Sequence, residues 1–111
     1  GASALVKYRS IAPPVNNDPI LTELLETAAK SIIGEANIIH LDKPSLGAED
    51  FAYLLQDVPG TMFRLGVASE KGCAPLHNGQ FSLDDRSLEF GIKILFQALF
   101  NWMETFPSGQ K

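Results

Sequence analysis

Leu88-Glu89-Phe90-Gly91-Ile92-Lys93-Ile94-Leu95-Phe96-Gln97-Ala98-Leu99-Phe100-Asn101-Trp102-Met103 is the stretch on which the fold turns. Leu88, Ile92, Leu95, Leu99 and Trp102 recur at helical spacing and make one apolar stripe. Phe90, Ile94, Phe96, Phe100 and Met103 carry apolar character around the other sides. Ser82 and Asp85 have the spacing of a capping box, which predicts a helix over about 84–104. A helix apolar nearly all round has to be covered on most sides. The rest of the chain offers too little surface to do it. Two solutions follow: the chain associates through this helix, or it is part of a larger fold whose other half lies elsewhere.

Working outward, the 111 residues suit one domain, which would bury about two-thirds of its unfolded surface. With 45% hydrophobic residues the chain is not disordered as a whole. Nine Lys and Arg against thirteen Asp and Glu, with no basic stripe among the aromatics, argue against a nucleic-acid partner. The longest apolar run, Ile92–Met103, is interrupted by Gln97 and Asn101 and is too short to span a bilayer, so no membrane partner is expected. No basic segment followed by an apolar core opens the chain, and a lone Cys73 cannot form an internal disulfide. A cytoplasmic protein is the expectation. Pro107-Ser108-Gly109 reads as a frayed tail.

Upstream, Val6 to Ile11 alternates as a strand would, and Pro13-Pro14 stops any ladder. Asp18, Pro19 and Gly34 are N-cap, first-turn and C-cap residues for a helix between them. Its apolar face is Ile20, Leu21, Leu24, Leu25, Ala28, Ile32 and Ile33. Ala36–Leu41 reads as a short strand, about Ala48–Gln56 as a second helix, and Thr61–Val67 as another strand. The loop from Ala68 to Gln80 is longer than most connections, and such loops often carry function.

The chemistry-bearing residues are few. His77 lies in that long loop, after a strand and before a helix, where ligands bind in α/β folds. Imidazole is a common metal ligand, but a metal needs three or four converging donors. Cys73, four residues earlier, more simply serves as a small buried apolar group, and His40 as a strand-end residue. Glu49 and Asp50 fit a helix start, where the dipole favours anions. Gly47 and the helix start after it could instead hold a substrate carboxylate. No nucleophile–base pair and no full ligand set is present, so the chain lacks a self-sufficient active site.

Four motifs in order then carry a resemblance. They are Pro44-Ser45-Leu46-Gly47-Ala48-Glu49-Asp50-Phe51-Ala52-Tyr53, Val58-Pro59-Gly60, Phe63-Arg64-Leu65-Gly66-Val67 and Pro75-Leu76-His77-Asn78. With Tyr8 and Pro13-Pro14-Val15-Asn16-Asn17-Asp18-Pro19 upstream, the chain resembles the C-terminal part of metallo-amidohydrolases. These are the aminoacylases, hippurate hydrolases and auxin-conjugate hydrolases, relatives of zinc carboxypeptidases and succinyl-diaminopimelate desuccinylase.

The resemblance implies an α/β fold, the closing portion of a three-layer α/β/α metallopeptidase-like catalytic domain. Residues 1–12 would end the lid or dimerisation domain, and residues 13–111 would belong to the catalytic domain. It implies hydrolysis of N-acyl amino acids or similar small amides by water activated on two divalent metals, such as zinc, manganese, cobalt or nickel. His77 would be a metal ligand, Gly47 would touch substrate, and Glu49 and Asp50 would organise the loop. Family members are three to four times longer, with the glutamate base and the other ligands in an N-terminal half that is not in this sequence. The chain then reads as a fragment, inactive alone, whose partners are the missing half, the small-molecule substrate and further copies in a homo-oligomer. The alternative is an independently folding oligomerisation module without catalysis.

Overall fold

Asp18 begins the best-formed element. Its carboxylate accepts from the Leu21 N–H at 2.9 Å, Pro19 sits in the first turn, and α1 runs over Pro19–Ile33. At the other end the Gly34 N–H donates to the Lys30 carbonyl at φ 80° and ψ 150°, a region essentially reserved for glycine. All three boundary residues act as the sequence predicts. In this computed structural model residues 1–106 are described, so the Pro107-Ser108-Gly109 tail lies outside the described residues.

A single 3-10 turn, Glu35–Asn37, follows α1. Then come α2, Phe51–Leu54, and α3, Arg86–Thr105. α2 is shorter than the predicted 48–56 helix. Glu49 is not in its first turn but bonds the Phe51 N–H at 3.2 Å from outside, and turns continue the chain to Val58. α3 starts two residues later than expected and without the Ser82–Asp85 box. Asp84 organises its start instead: its carboxylate accepts from the Arg86 N–H, and its carbonyl from the Ser87 N–H and hydroxyl.

The three predicted strands are the main correction. Among the described residues there is no β-ladder, only an isolated bridge between Ser69 and Gly72. The regular structure among the described residues is therefore helical. The physical reason is that a strand exists only through its neighbours. Residues 63–67 nonetheless keep the strand's period: Phe63, Leu65 and Val67 are half-buried while Arg64 and Gly66 are exposed. Phe63 packs on the core, and the Leu65 side chain approaches Gly91 of α3 closely. Residues 1–11 are exposed throughout.

The core is small. Leu25 and Ala29 of α1 meet Ile94 of α3, flanked by Ile32, Ile33, Ile38, Phe63 and Ala98. Polar locks hold the 60–62 segment against the start of α1. The Asn17 amide donates to the Met62 carbonyl at 2.8 Å and its oxygen accepts from the Met62 N–H at 3.0 Å. The Thr22 and Thr61 hydroxyls are 2.9 Å apart, and the Asp18 N–H donates to the Gly60 carbonyl at 2.8 Å. A β-carbon at Gly60 would sit 2.7 Å from Leu55 Cδ2 and 3.3 Å from Phe51 Cζ, so those side chains would have to shift to admit one.

The surface tells how much of the fold is here. The chain exposes 9810 Å². A compact monomer of its 12.1 kDa would expose about 6,000 Å² and its unfolded chain about 17,500 Å². The chain thus buries less than half of its unfolded surface, not the two-thirds that its length leads one to expect. Its radius of gyration is 18.4 Å, against about 13 Å for a compact domain of this length. No helix among the described residues is long and apolar enough to cross a membrane.

Candidate functional site

His77 sits where the backbone is least comfortable. Pro75-Leu76-His77-Asn78 is a turn closed by the Asn78 N–H on the Pro75 carbonyl at 3.2 Å. His77 is its third residue, with φ 67°, and among the described residues it alone combines a side chain with positive φ. Glycine or asparagine is usual at that position, because a β-carbon there crowds the backbone. Asn78 continues the turn, its carbonyl and side-chain oxygen accepting from the Phe81 and Gln80 N–H groups at 2.9 and 2.8 Å. The imidazole stands exposed on this scaffold. Sequence reading picked out the histidine but not its conformation, for which Pro75 and the Asn78-Gly79 pair are the local signals.

Cys73 closes the base of the same loop. Its thiol donates to the Ser82 carbonyl at 3.0 Å, so residues 73 and 82 are tied together beneath the turn. It is half-buried and free, consistent with a packing role more than with a ligand. His40 lies elsewhere, exposed, with Nε2 3.5 Å from Glu26 Oε1. The two histidines and the cysteine do not form a shared site: the described residues contain no group of three His, Cys, Asp or Glu side chains placed to hold a metal ion.

Gly47 lies in the exposed loop before α2, where a β-carbon would meet nothing within 4 Å. The open backbone leaves room for a ligand to approach, and Glu49 braces the loop through its bond to Phe51. The structure positions His77 and Gly47 on separate loops, and no hydrogen bond among the described residues joins the two residues.

Electrostatics near these loops is local. The Arg86 guanidinium, chelated on Asp84 at 2.6 to 3.1 Å, holds that carboxyl below its ordinary value and is itself raised. At the far end of α1, Lys30 bonds Glu26 and lowers it, while Glu26 and Glu35 raise Lys30.

An apolar groove of about 480 Å³ opens between α1, α2 and α3, with Leu21, Leu24, Phe51, Leu95, Leu99 and Trp102 on its walls. It carries almost no polar group that could orient a ligand. A chemical site needs such groups, so the groove has the character of an uncovered core.

Comparisons with known proteins place these features. The family model described as peptidase family M20/M25/M40 matches residues 3–101. A probable hydrolase of Synechocystis sp. strain PCC 6803 is 39% identical over 106 residues, which is 94% of this chain and 27% of that protein. An N-acetyldiaminopimelate deacetylase of Lactococcus lactis subsp. cremoris is 38% identical over 94 residues, 85% of this chain and 23% of the relative. Thermostable carboxypeptidase 1 of Saccharolobus solfataricus is 37% identical over 95 residues, 82% of this chain and 23% of the relative. The chain spans about a quarter of the length of these curated relatives. No solved structure matches it.

Proposed function

Because the chain belongs to peptidase family M20/M25/M40, we propose that it is the closing portion of the catalytic domain of a divalent-metal-dependent amidohydrolase. The substrate class is an N-acyl amino acid or a similar small amide. The three-layer α/β/α architecture is completed by the rest of that domain, with residues 1–12 leading out of a lid. The observation that carries the reading is the family match over residues 3–101 together with the strained turn that presents His77.

One imidazole cannot hold an ion, and the described residues offer no three-donor group. The chain by itself does not fit a metal centre. His77 fits the place of one donor in a centre completed by residues outside this sequence. Two divalent ions would supply an activated water and polarise the amide carbonyl.

The residues of this chain have positioning tasks. The Pro75–Asn78 turn fixes the imidazole on a rigid scaffold, tied at its base by the Cys73–Ser82 bond. Gly47 leaves the backbone accessible to substrate, and Glu49 keeps that loop in shape. A cytoplasmic setting agrees with the free Cys73 thiol.

The experiment starts from the coding DNA upstream of Gly1. An in-frame segment of some hundreds of codons is expected, and its product with this chain should bind divalent metal and hydrolyse N-acyl amino acids. His77→Ala should lower bound metal and cut the rate by 100-fold or more, while the 111-residue chain alone stays inactive with added zinc or manganese. Unchanged metal content and rate in His77→Ala would overturn the assignment.

A further inference from the structure

Five asparagines stand in the chain, at 16, 17, 37, 78 and 101, and Asn78 alone precedes a glycine. The others precede Asn17, Asp18, Ile38 and Trp102. The difference is chemical. The backbone nitrogen of the following residue can attack an asparagine side-chain amide and close a five-membered succinimide ring. A side chain on that following residue obstructs the backbone rotation that closure needs, and glycine offers no such obstruction. The turn itself does not call for glycine at 79. Its φ is outside the left-handed region, and a β-carbon there would meet nothing within 4 Å.

The hydrogen bonds around the pair divide its atoms into held and free. Asn78 is held at three points: its N–H donates to the Pro75 carbonyl at 3.2 Å, its carbonyl accepts from the Phe81 N–H at 2.9 Å, and its Oδ1 accepts from the Gln80 N–H at 2.8 Å. The Gly79 N–H and the Asn78 Nδ2 make no hydrogen bond among the described residues. A side-chain oxygen bonded to the amide two residues on brings the carboxamide carbon over the intervening peptide nitrogen. The attacking nitrogen and the leaving nitrogen are therefore the unencumbered atoms. The oxygen between them, on which negative charge gathers during attack, already has a donor in place, as in an oxyanion hole.

We propose that Asn78 is a site of spontaneous modification, at which closure of the Gly79 nitrogen on the side chain converts the residue after His77 to isoaspartate and aspartate. The Gly79 nitrogen gives its proton to water and bonds to Asn78 Cγ. The Cγ–Nδ2 bond breaks, and Nδ2 takes up a proton and leaves as ammonia. Water then adds to one or other carbonyl of the ring. One opening gives aspartate, and the other gives isoaspartate, whose main chain runs through the β-carbon. One water is consumed and one ammonia released, and nothing is oxidised or reduced. The step uses residues 75–81 only and stands apart from the function proposed above.

The two products act differently on the turn. Aspartate keeps an oxygen in the place of Oδ1, so the Gln80 bond persists and a negative charge is added. Isoaspartate lengthens the main chain between His77 and Gly79 by one carbon. It also turns the carbonyl that accepts from Phe81 into a pendant carboxylate. The register of the Gln80 and Phe81 bonds is lost, and with it the support that holds His77 at φ 67°.

The experiment ages the intact protein at neutral pH for weeks and maps its peptides by mass spectrometry. A protease that cuts before aspartate but not before isoaspartate separates the two products. Conversion is expected at Asn78 before any at Asn16, Asn17, Asn37 or Asn101, with isoaspartate the larger product. Gly79→Ala, which the open space at that position admits, should slow conversion about tenfold or more. A free peptide of residues Pro75–Phe81 should convert no faster than the folded protein. Amide exchange at Gln80 and Phe81 should rise in the isoaspartate fraction and stay slow in the aspartate fraction. The proposal is overturned by an Asn78 that stays intact while the free peptide converts, by a peptide that outpaces the folded protein, by another asparagine converting first, or by Gly79→Ala converting at the parent rate.

Discussion

Placing His77 at φ 67° costs a residue with a β-carbon about 1–2 kcal/mol, a cost glycine avoids. The expected signature is a pair of variants that differ only in backbone freedom. His77→Gly should be more stable than His77→Ala by about 1 kcal/mol in urea unfolding of the assembled protein, although both lack the imidazole. Equal stability would mean the turn is not strained. At this scale the sequence was legible where chemistry is local: Asp18, Pro19 and Gly34 cap α1 as written. Asn17 was not legible, because its partner Met62 lies 45 residues away. An asparagine three residues after a double proline carries no sign of such a bond. Among the candidate site residues His77 and Gly47 drew notice from their loops and took their roles only from their motifs, and no hydrogen bond among the described residues joins them.

Elements divide by where their stabilising contacts come from. α1 was predicted nearly to the residue because its apolar face lies within its own fifteen residues and its caps, Asp18 and Gly34, directly flank them. α2 was overextended, since the turns to Val58 have helical composition but never add further α-helical residues. The strands were legible as a period and absent as a ladder, because the missing ingredient was a neighbour. α3 began two residues late because Asp84, pairing with Arg86, displaced the predicted box. That pair carries a pH prediction. Asp84 is lowered from its ordinary 3.8, so its contribution is present above that value and is lost as pH falls through the lowered one. Asp84→Asn should flatten the acid limb of α3 helicity, measured by circular dichroism as pH falls below 3.8, with little change at pH 7. For Arg86 the sign is reversed: the Asp84 carboxylate raises it, so any loss lies on the strongly alkaline side. The pair is exposed, so added salt should shrink the difference between variant and parent.

For the whole molecule, the expectation of a compact domain failed, and the sequence already contained the reason. An apolar surface running all round the last helix cannot be covered by one short helix pair. Only the size of the shortfall required coordinates: 9810 Å² exposed and a radius of gyration of 18.4 Å. In dilute solution small-angle scattering of the lone chain should give a radius well above the roughly 13 Å of a compact domain, with strong binding of an apolar dye. A value near 13 Å without dye binding would show that the chain closes on itself. The excess surface has a calorimetric consequence as well. The heat-capacity change of unfolding follows the surface newly exposed, so with 9810 Å² already exposed the lone chain should show a smaller change than a compact domain of the same length.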